Sequence, residues 1–267
     1  AVRVVAQGDV YGRAPGWNAS SRVSNQLVTD WLFREGQLNA AGNVERAISW
    51  YPRFDRFKQG IGTLGGGNLL IEAGGNLDNL SAVVSTSGRV AVANGSSTPT
   101  EDRLEVLGGG NLLARAGGDI IGGVFYVGRG NGRLLAGGAV RSGDSVSYNT
   151  NAPLQRRTLL ALGDAGIRVQ AAGNLTVGAL FNPTLVPQIR ANTGGNEAAR
   201  TVFSTYTDRS GVDLMSLSGD IELAPDTELI QGIDALKQTA NGTGTQTDRF
   251  ETEQSTPYSS FLVAPSS

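Results

Sequence analysis

The chain has 267 residues, with 38 Gly, no Cys, no His, one Met and a net charge of −2. Without thiol or imidazole there is no Ser–His–Asp triad, no Cys nucleophile and no zinc or haem site ligated by those groups. All-carboxylate catalysis, a carboxylate–oxygen metal site, or a Ser/Lys or Arg mechanism remains open, while the acidic balance gives nucleic acid no electrostatic support.

No apolar run approaches the roughly 18 residues of a membrane span. Hydrophobic residues at 39% and charged residues at 17% argue against wholesale disorder. Glycine is far above ordinary usage but lacks the triplet period of collagen. The absence of Cys fits a cytosolic protein with no use for thiols, and equally one exported unfolded through an oxidising compartment. A chain starting at Ala1 without a signal peptide reads as a mature product or an excised fragment.

In chain order, residues 1–60 form an aromatic and Arg-rich lead-in or edge-covering segment, with a short helix expected over Asn25–Phe33. Residues 11–34 and 45–60 read as excursions, carrying WLFREG at 31–36 and SWYPRFDRFKQG at 49–60. Residues 61–236 hold an internal repeat. Copies read GGGNLLIEAGGNL at 65–77, GGGNLLARAGGDI at 108–120, GIRVQAAGNLTV at 166–177 and MSLSGDIEL at 215–223. Weaker echoes are AAGNV at 40–44, SGRVAV at 87–92 and LLAGGAV at 134–140. Residues 94–103, 147–157, 182–200 and 239–260 are polar and read as loops, and residues 237–267 form a polar carboxy-terminal loop or tail.

The repeat has a physical grammar. Leu69, Ile71 and Ala73 share one strand face while Leu70 and Glu72 take the other. Leu112, Ala114 and Ala116 oppose Leu113 and Arg115; Ile167, Val169 and Ala171 oppose Arg168 and Gln170. This is period-2 alternation. Gly-Gly-Asn or Gly-Gly-Asp then breaks the strand, the glycines supplying a positive φ, and a second short strand opens at Leu77, Ile120, Leu175 or Ile221. The fourth copy points Asp213 inward unless a bulge intervenes. Short strands, small inward alanines and one recurring bend predict an all-β parallel β-helix, a β-solenoid with loop excursions. An antiparallel sandwich or barrel explains the Gly turns but not the recurrence of one unit. Stacking is expected to align Asn68-like and Asn76-like positions into ladders of amides bonded to one another. Asn76, Asp119, Asn174 and Asp220 follow at intervals of 43, 55 and 46 residues, each room for two coils or for one coil plus an excursion.

These residues carry a resemblance. The run from Trp50 through Phe57, Gln59, Gly60 and GTLGGGNLLIEAGGNLDNLS is similar to the large secreted exoproteins of the filamentous haemagglutinin family. So are AGGDIIGGVFYVGRGNGRLLAGGAV at 116–140 and ALGDAGIRVQAAGNLTVGALFNPT at 161–184. The likeness covers most of residues 30–225, and FYVGRGNG at 125–132 is its most particular part. It implies a right-handed parallel β-helix in a long surface fibre, secreted or held at the cell surface of a Gram-negative bacterium. It implies export through a dedicated outer-membrane two-partner transporter, and favours the exported reading of the missing cysteines. The family's amino-terminal secretion domain is not evident here, so an interior or carboxy-terminal piece of a larger product is expected. The family shares no catalytic residues, and none is carried over.

A β-helix can also host a polysaccharide lyase or hydrolase, which needs convergent carboxylates on one face. Here Asp119 and Asp220 sit at bends, where Asp is a turn former, and Glu101/Asp102 and Glu251/Glu253 read as solvated loop neighbours. The calcium nonapeptide GGxGxD is absent. GRGNG at 128–132 lacks the Lys-Ser/Thr and helix of a phosphate loop and reads as a turn between coils; Arg129 and Arg133 are either contacts for acidic glycans or solubilising charges. No catalytic, cofactor-binding or metal residue is assigned. The cluster Trp31, Phe33, Trp50, Tyr51, Phe54 and Phe57 stands out. Trp50, Tyr51, Arg53, Phe54 and Arg56 form a candidate binding surface, since aromatics and Arg dominate recognition. The competing reading is a plug covering a coil edge or pinning an excursion onto the solenoid wall.

The expectation is a non-enzymatic, adhesin-like segment that attaches to a host-cell, bacterial or glycan surface. A module self-associating into a filament or sheath is the alternative, and a β-helix lyase or hydrolase a third.

Overall fold

Five-residue alternating stretches form the strands, and the glycine bends between them set a coil. In the computed structural model, which describes residues 1–12, 27–38, 44–90, 104–143, 145–147, 153–155, 157–185 and 203–223, these coils stack as a parallel β-helix with three walls. The first wall stacks Val2–Ala6, Leu69–Ala73, Leu112–Ala116, 132–136, 167–171 and Gly211–Ser216, all parallel and in register. Inward columns follow directly: Val4, Ile71, Ala114, Leu134, Val169 and Leu214 lie one above another. The second wall stacks Val10–Tyr11, Leu77–Asp78, Ile120–Ile121, Val140–Arg141, the start of Leu175–Phe181 and Ile221–Leu223. The third stacks Ile61–Thr63, Ala82–Val84, 123–127, 158–162 and 179–181.

The shortest coil runs from Leu112 to Gly132. The weak echo at 134–140 is therefore a complete rung, with Leu134, Ala136 and Val140 buried. The interval from Asp119 to Asn174 holds two coils, whereas those on either side hold one coil plus an excursion. By contrast, the echo at 87–92 enters no coil: Thr86–Val90 belongs to a separate antiparallel sheet. The first rung draws on residues 1–11 and 61–63, on both sides of the expected boundary at residue 60. The expected helix over Asn25–Phe33 is one turn, Val28–Trp31. Of the expected loops, Ser145–Ser147 pairs with Pro153–Gln155, and Pro183–Leu185 is a 3-10 turn. Residues 94–103 and 239–260, and the whole tail 237–267, lie outside the described residues.

Two details of the repeat work differently from expectation. The bend glycines Gly74, Gly117 and Gly137 do not have positive φ; left-handed glycines occur elsewhere, at Gly66, Gly67 and Gly108–Gly110 ahead of the strands. Gly is required at three of the bends because a Cβ on Gly74, Gly117 or Gly137 would run into the carbonyl oxygen of Gln7, Gly74 or Gly117 on the preceding rung; the later rungs carry Ala172 and Leu217 at the same step. The ladders also run mainly from side chain to backbone, with one amide-to-amide contact, Asn131 Nδ2 donating to Asn111 Oδ1 at 3.5 Å. Asp9 Oδ1 accepts the backbone N–H of Asn76, Asn76 Oδ1 that of Asp119, and Asp119 Oδ1 that of Ala139, at 2.7, 2.7 and 2.8 Å. Asn174 does the same for Asp220 at 3.0 Å. In the parallel column, Asn68 accepts from Asn111 N–H at 2.8 Å and Asn111 from Asn131 N–H at 3.1 Å. Each side chain thus replaces a missing strand bond at the corner.

The last rung keeps its charge outside without a bulge in the strand. Ala171 pairs with Ser216 but Leu175 with Ile221, so the extra residue sits in the bend. Asp213 faces outward and accepts a hydrogen bond from Arg168 Nε at 2.8 Å.

Candidate functional site

The third wall is apolar on both sides. Phe125, Val127, Leu160 and Leu162 point into the coil axis; Val124, Tyr126, Leu159, Ala161 and Phe181 point away from it and are still buried. What buries them is the excursion from the first rung joined to that from the second. Leu32–Leu38, Val44–Pro52, Thr86–Val90 and Leu104–Gly108 form a four-stranded antiparallel sheet. Its inner side brings Leu32 and Trp50 onto the wall, with Leu27, Val28 and Trp31 from the segment just before it beside them.

Trp50 is 2% exposed. Its indole N–H donates to Thr86 Oγ1 at 3.1 Å, and its ring lies 5.4 Å from that of Phe203. Gly88 passes under that indole, where a Cβ would enter the ring. Trp31 packs edge-on against Phe57 at 5.3 Å and against Tyr126 at 6.0 Å. Burial pushes the Tyr126 phenol up to about 12, against the opposing hydrogen bond of Thr86 and field of Arg34. Arg34 is itself buried, donating to the carbonyls of Leu32 at 2.6 Å and Thr29 at 3.3 Å. Arg129 ties down the edge strand through the carbonyls of Gly108 and Val106, at 2.9 and 3.2 Å; it is a pin between coil and cover. Arg133 is exposed.

The outer side of the same sheet carries the rest of the aromatic cluster. Alternation turns Tyr51 outward when Trp50 points inward. Tyr51 stacks on Phe33, its cross-strand partner, with centroids 4.7 Å apart. Phe54 is 69% exposed in the turn that follows. Arg53 holds Asp55 through Nη2 at 2.8 Å and Nε at 3.3 Å, and that hydrogen bond sets the Asp55 carboxyl below its ordinary range. Arg56 is exposed in the same turn. Across the sheet stand the Arg89–Glu105 pair at 3.0 Å and Leu107, 71% exposed.

The five candidate binding residues therefore divide. Trp50 is a wall anchor, while Tyr51, Arg53, Phe54 and Arg56 gather on the solvent side of the cover. Leu107, Arg89 and Glu105 join that side unannounced by any motif; the signal available is the alternation of Thr86–Val90 around Gly88.

Of the two expected bend carboxylates, Asp119 is engaged in the fold, while exposed Asp220 is held through its backbone N–H on Asn174. Asp119 accepts from Ala139 N–H and pairs with Arg141 at 2.7 Å; burial would raise its pKa, but these two bonds outweigh burial and lower it. Asp9 is lowered by its bonds from Asn76 N–H and the Tyr11 hydroxyl. Asp164 receives Arg209 and the Thr207 hydroxyl. Glu101/Asp102 and Glu251/Glu253 lie outside the described residues. Among the described residues no three carboxylates gather as a metal site, and no helix is long and apolar enough to cross a membrane. Compared with known families, curated proteins and solved structures, the chain finds no match.

Proposed function

We infer that the chain is a non-enzymatic segment of a secreted or cell-surface bacterial exoprotein of the filamentous haemagglutinin kind. Its role is attachment or cell–cell contact from a rigid β-solenoid. The observation that carries this reading is the two-sided cover. One side of the sheet is sealed onto the third wall by Trp31 and Trp50, and the other presents Tyr51, Phe54 and Arg56 to solvent. A rigid rod that holds aromatic and Arg side chains on a fixed lateral face suits many weak contacts summed by multivalency. The engagement of Asp9, Asp119 and Asp164 in bonds between rungs and to the excursion supports a structural role for the carboxylates over a lyase or hydrolase role. The partners are a host-cell, bacterial or glycan surface and, for the full-length product, the outer-membrane two-partner transporter of a Gram-negative cell.

The test is binding of the purified chain to glycan arrays and to whole cells. The double variant Tyr51→Ala/Phe54→Ala is expected to lose binding at a stability cost of no more than about 1 kcal/mol, the stacked cross-strand pair with Phe33 being what it gives up. Binding that survives the double variant, or no bound surface at all, removes this reading.

A further inference from the structure

We propose that the outward side of the first wall is a second binding face, built for a linear polysaccharide that carries carboxylates. It shares no residue with the cover, and the middle rungs it uses have described neighbours on both sides.

In-register stacking sets two outward columns on this wall. One runs Arg3, Leu70, Leu113, Arg133, Arg168 and Asp213; the other runs Val5, Glu72, Arg115, Leu135, Gln170 and Met215. Arginines outnumber carboxylates here, on a chain whose net charge is −2. Both carboxylates are taken by the flanking rungs' pairs: Glu72 lies 3.8 Å from Arg3, and Asp213 lies 2.8 Å from Arg168 Nε. Glu72 is one rung from Arg115 in the same column, yet its carboxylate pairs with Arg3 instead. Arg115 and Arg133 are exposed, with no hydrogen bond or ion pair among the described residues.

The middle rungs therefore hold Arg115, Arg133 and Arg168 and no carboxylate. Arg133 and Arg168 stand one rung apart, about 4.8 Å between backbones, and Arg115 lies diagonally about 8 Å from Arg133. At that spacing like charges repel even in water, whereas Arg89 and Arg141 are each matched to a carboxylate. An anionic chain laid across the three relieves the repulsion. The planar guanidinium fork takes a planar carboxylate by two parallel bonds. Half-buried Leu113 and Leu135 fill the other diagonal of the same four positions, giving sugar rings an apolar surface beside each cation. Gln170, one rung on from Leu135, adds an amide for hydroxyl groups. The ladder fixes the backbone spacings before any ligand arrives, which lowers the ordering cost of binding. Duplex nucleic acid fits less well. Its one charge per about 1.7 Å meets the long-range repulsion of an acidic protein, whereas a polyuronate carries at most one charge per sugar.

The experiment titrates polygalacturonate into the full chain by calorimetry, at about 0.05 M and about 0.5 M salt. Binding at low salt that weakens at high salt is expected. Arg115→Gln and Arg133→Gln should each cost about fivefold in affinity, the upper worth of an exposed ion pair. Together they should cost about twentyfold with the melting curve kept; the single variants decide the matter should the double variant fail to fold. Tyr51→Ala/Phe54→Ala should leave this binding unchanged. No binding at low salt overturns the proposal, as does binding that the arginine variants keep or that neutral dextran matches. Tighter binding of dextran sulfate or duplex DNA than of polygalacturonate overturns the carboxylate assignment. Loss of polygalacturonate binding in Tyr51→Ala/Phe54→Ala would place the ligand on the cover and remove this face. If polygalacturonate fails while cells are still bound through Tyr51 and Phe54, the attachment reading stands and this one falls.

Discussion

The first two walls of the solenoid keep one side for the core and turn the other mostly to water, with Ile121 the buried exception; the third wall is apolar on both. On the first wall Leu113, Arg133 and Arg168 stand opposite the inward Leu112, Leu134 and Ile167, and the column tolerates Leu, Arg or Asp at the same outward position. On the third wall Val124, Tyr126 and Leu159 occupy the outward positions and are buried beneath the cover. A strand that is apolar on both sides must be covered on both, as in sheets packed between two layers. The coil therefore stands by itself on two walls, and on the third it is half of a sandwich. Excursions that look like interruptions of a repeat are the missing layer.

The sharpest way to break this comparison is to cut each layer separately. Leu134→Ala opens a cavity on the fully buried coil axis and should cost about 2–5 kcal/mol. Trp50→Ala removes the cover's anchor and should cost about 3–5 kcal/mol, but within the cover alone. Thermal melting followed by near- and far-ultraviolet circular dichroism would then show one lowered transition for Leu134→Ala. For Trp50→Ala it would show an early loss of aromatic signal ahead of the coil's melting. If both variants lower one common transition equally, cover and coil are a single cooperative layer and the division is wrong.

Next in size is the alkaline limb, where a phenol in the seam between cover and coil titrates. The folded-state pKa of Tyr126 is raised from 10.0 to about 12, so the native protein holds that proton more tightly than the unfolded chain. Its contribution is complete below pH 10 and is lost as pH climbs from there through about 12, amounting to about 2–3 kcal/mol. Tyrosinate absorbance against pH should show late-ionising tyrosines. Tyr126→Phe should remove one of them and flatten the stability loss in that range. An unchanged alkaline limb in that variant would assign the loss to another group.

How much of this was legible in the sequence differs by wall. The first and second walls were readable because Leu69–Ala73 and Leu112–Ala116 alternate and the Gly-Gly-Asx bend recurs. The rung at 132–136 was harder to see, because its coil is only as long as the geometry requires and Gly132 stands where its neighbours have Leu or Ile. Asp213 was ambiguous for one reason: counting back from the bend cannot tell an added bend residue from a slipped strand. The third wall carried no repeat signal. Phe125–Val127 and Leu159–Leu162 are continuous apolar runs, which period-2 reasoning cannot assign to a face. Trp50 and Tyr51 were visible as a cluster, yet adjacent residues in a strand face opposite ways. Only pairing with Phe33 and Gly88 decides which of them meets the wall.

The smallest predicted effect tests the corner code of the self-standing walls. Down the second corner the column reads Asp9, Asn76, Asp119, Ala139, Asn174 and Asp220, so no two carboxylates fall on successive rungs. Asn76→Ala leaves the Asp119 N–H without its acceptor and should cost about 1–2 kcal/mol. Asn76→Asp keeps the acceptor but sets three carboxylates in line about 4.8 Å apart, each neighbour costing about 0.9 kcal/mol in water. Arg141 beside Asp119 relieves part of that, leaving a net loss of about 1 kcal/mol at low salt. In about 1 M salt the Debye length falls to about 3 Å, and Asn76→Asp should recover to near the unmodified stability while Asn76→Ala does not. Equal behaviour of the two variants across the salt range would mean that the alternation of Asp and Asn follows from bend formation alone, with no electrostatic rule between rungs.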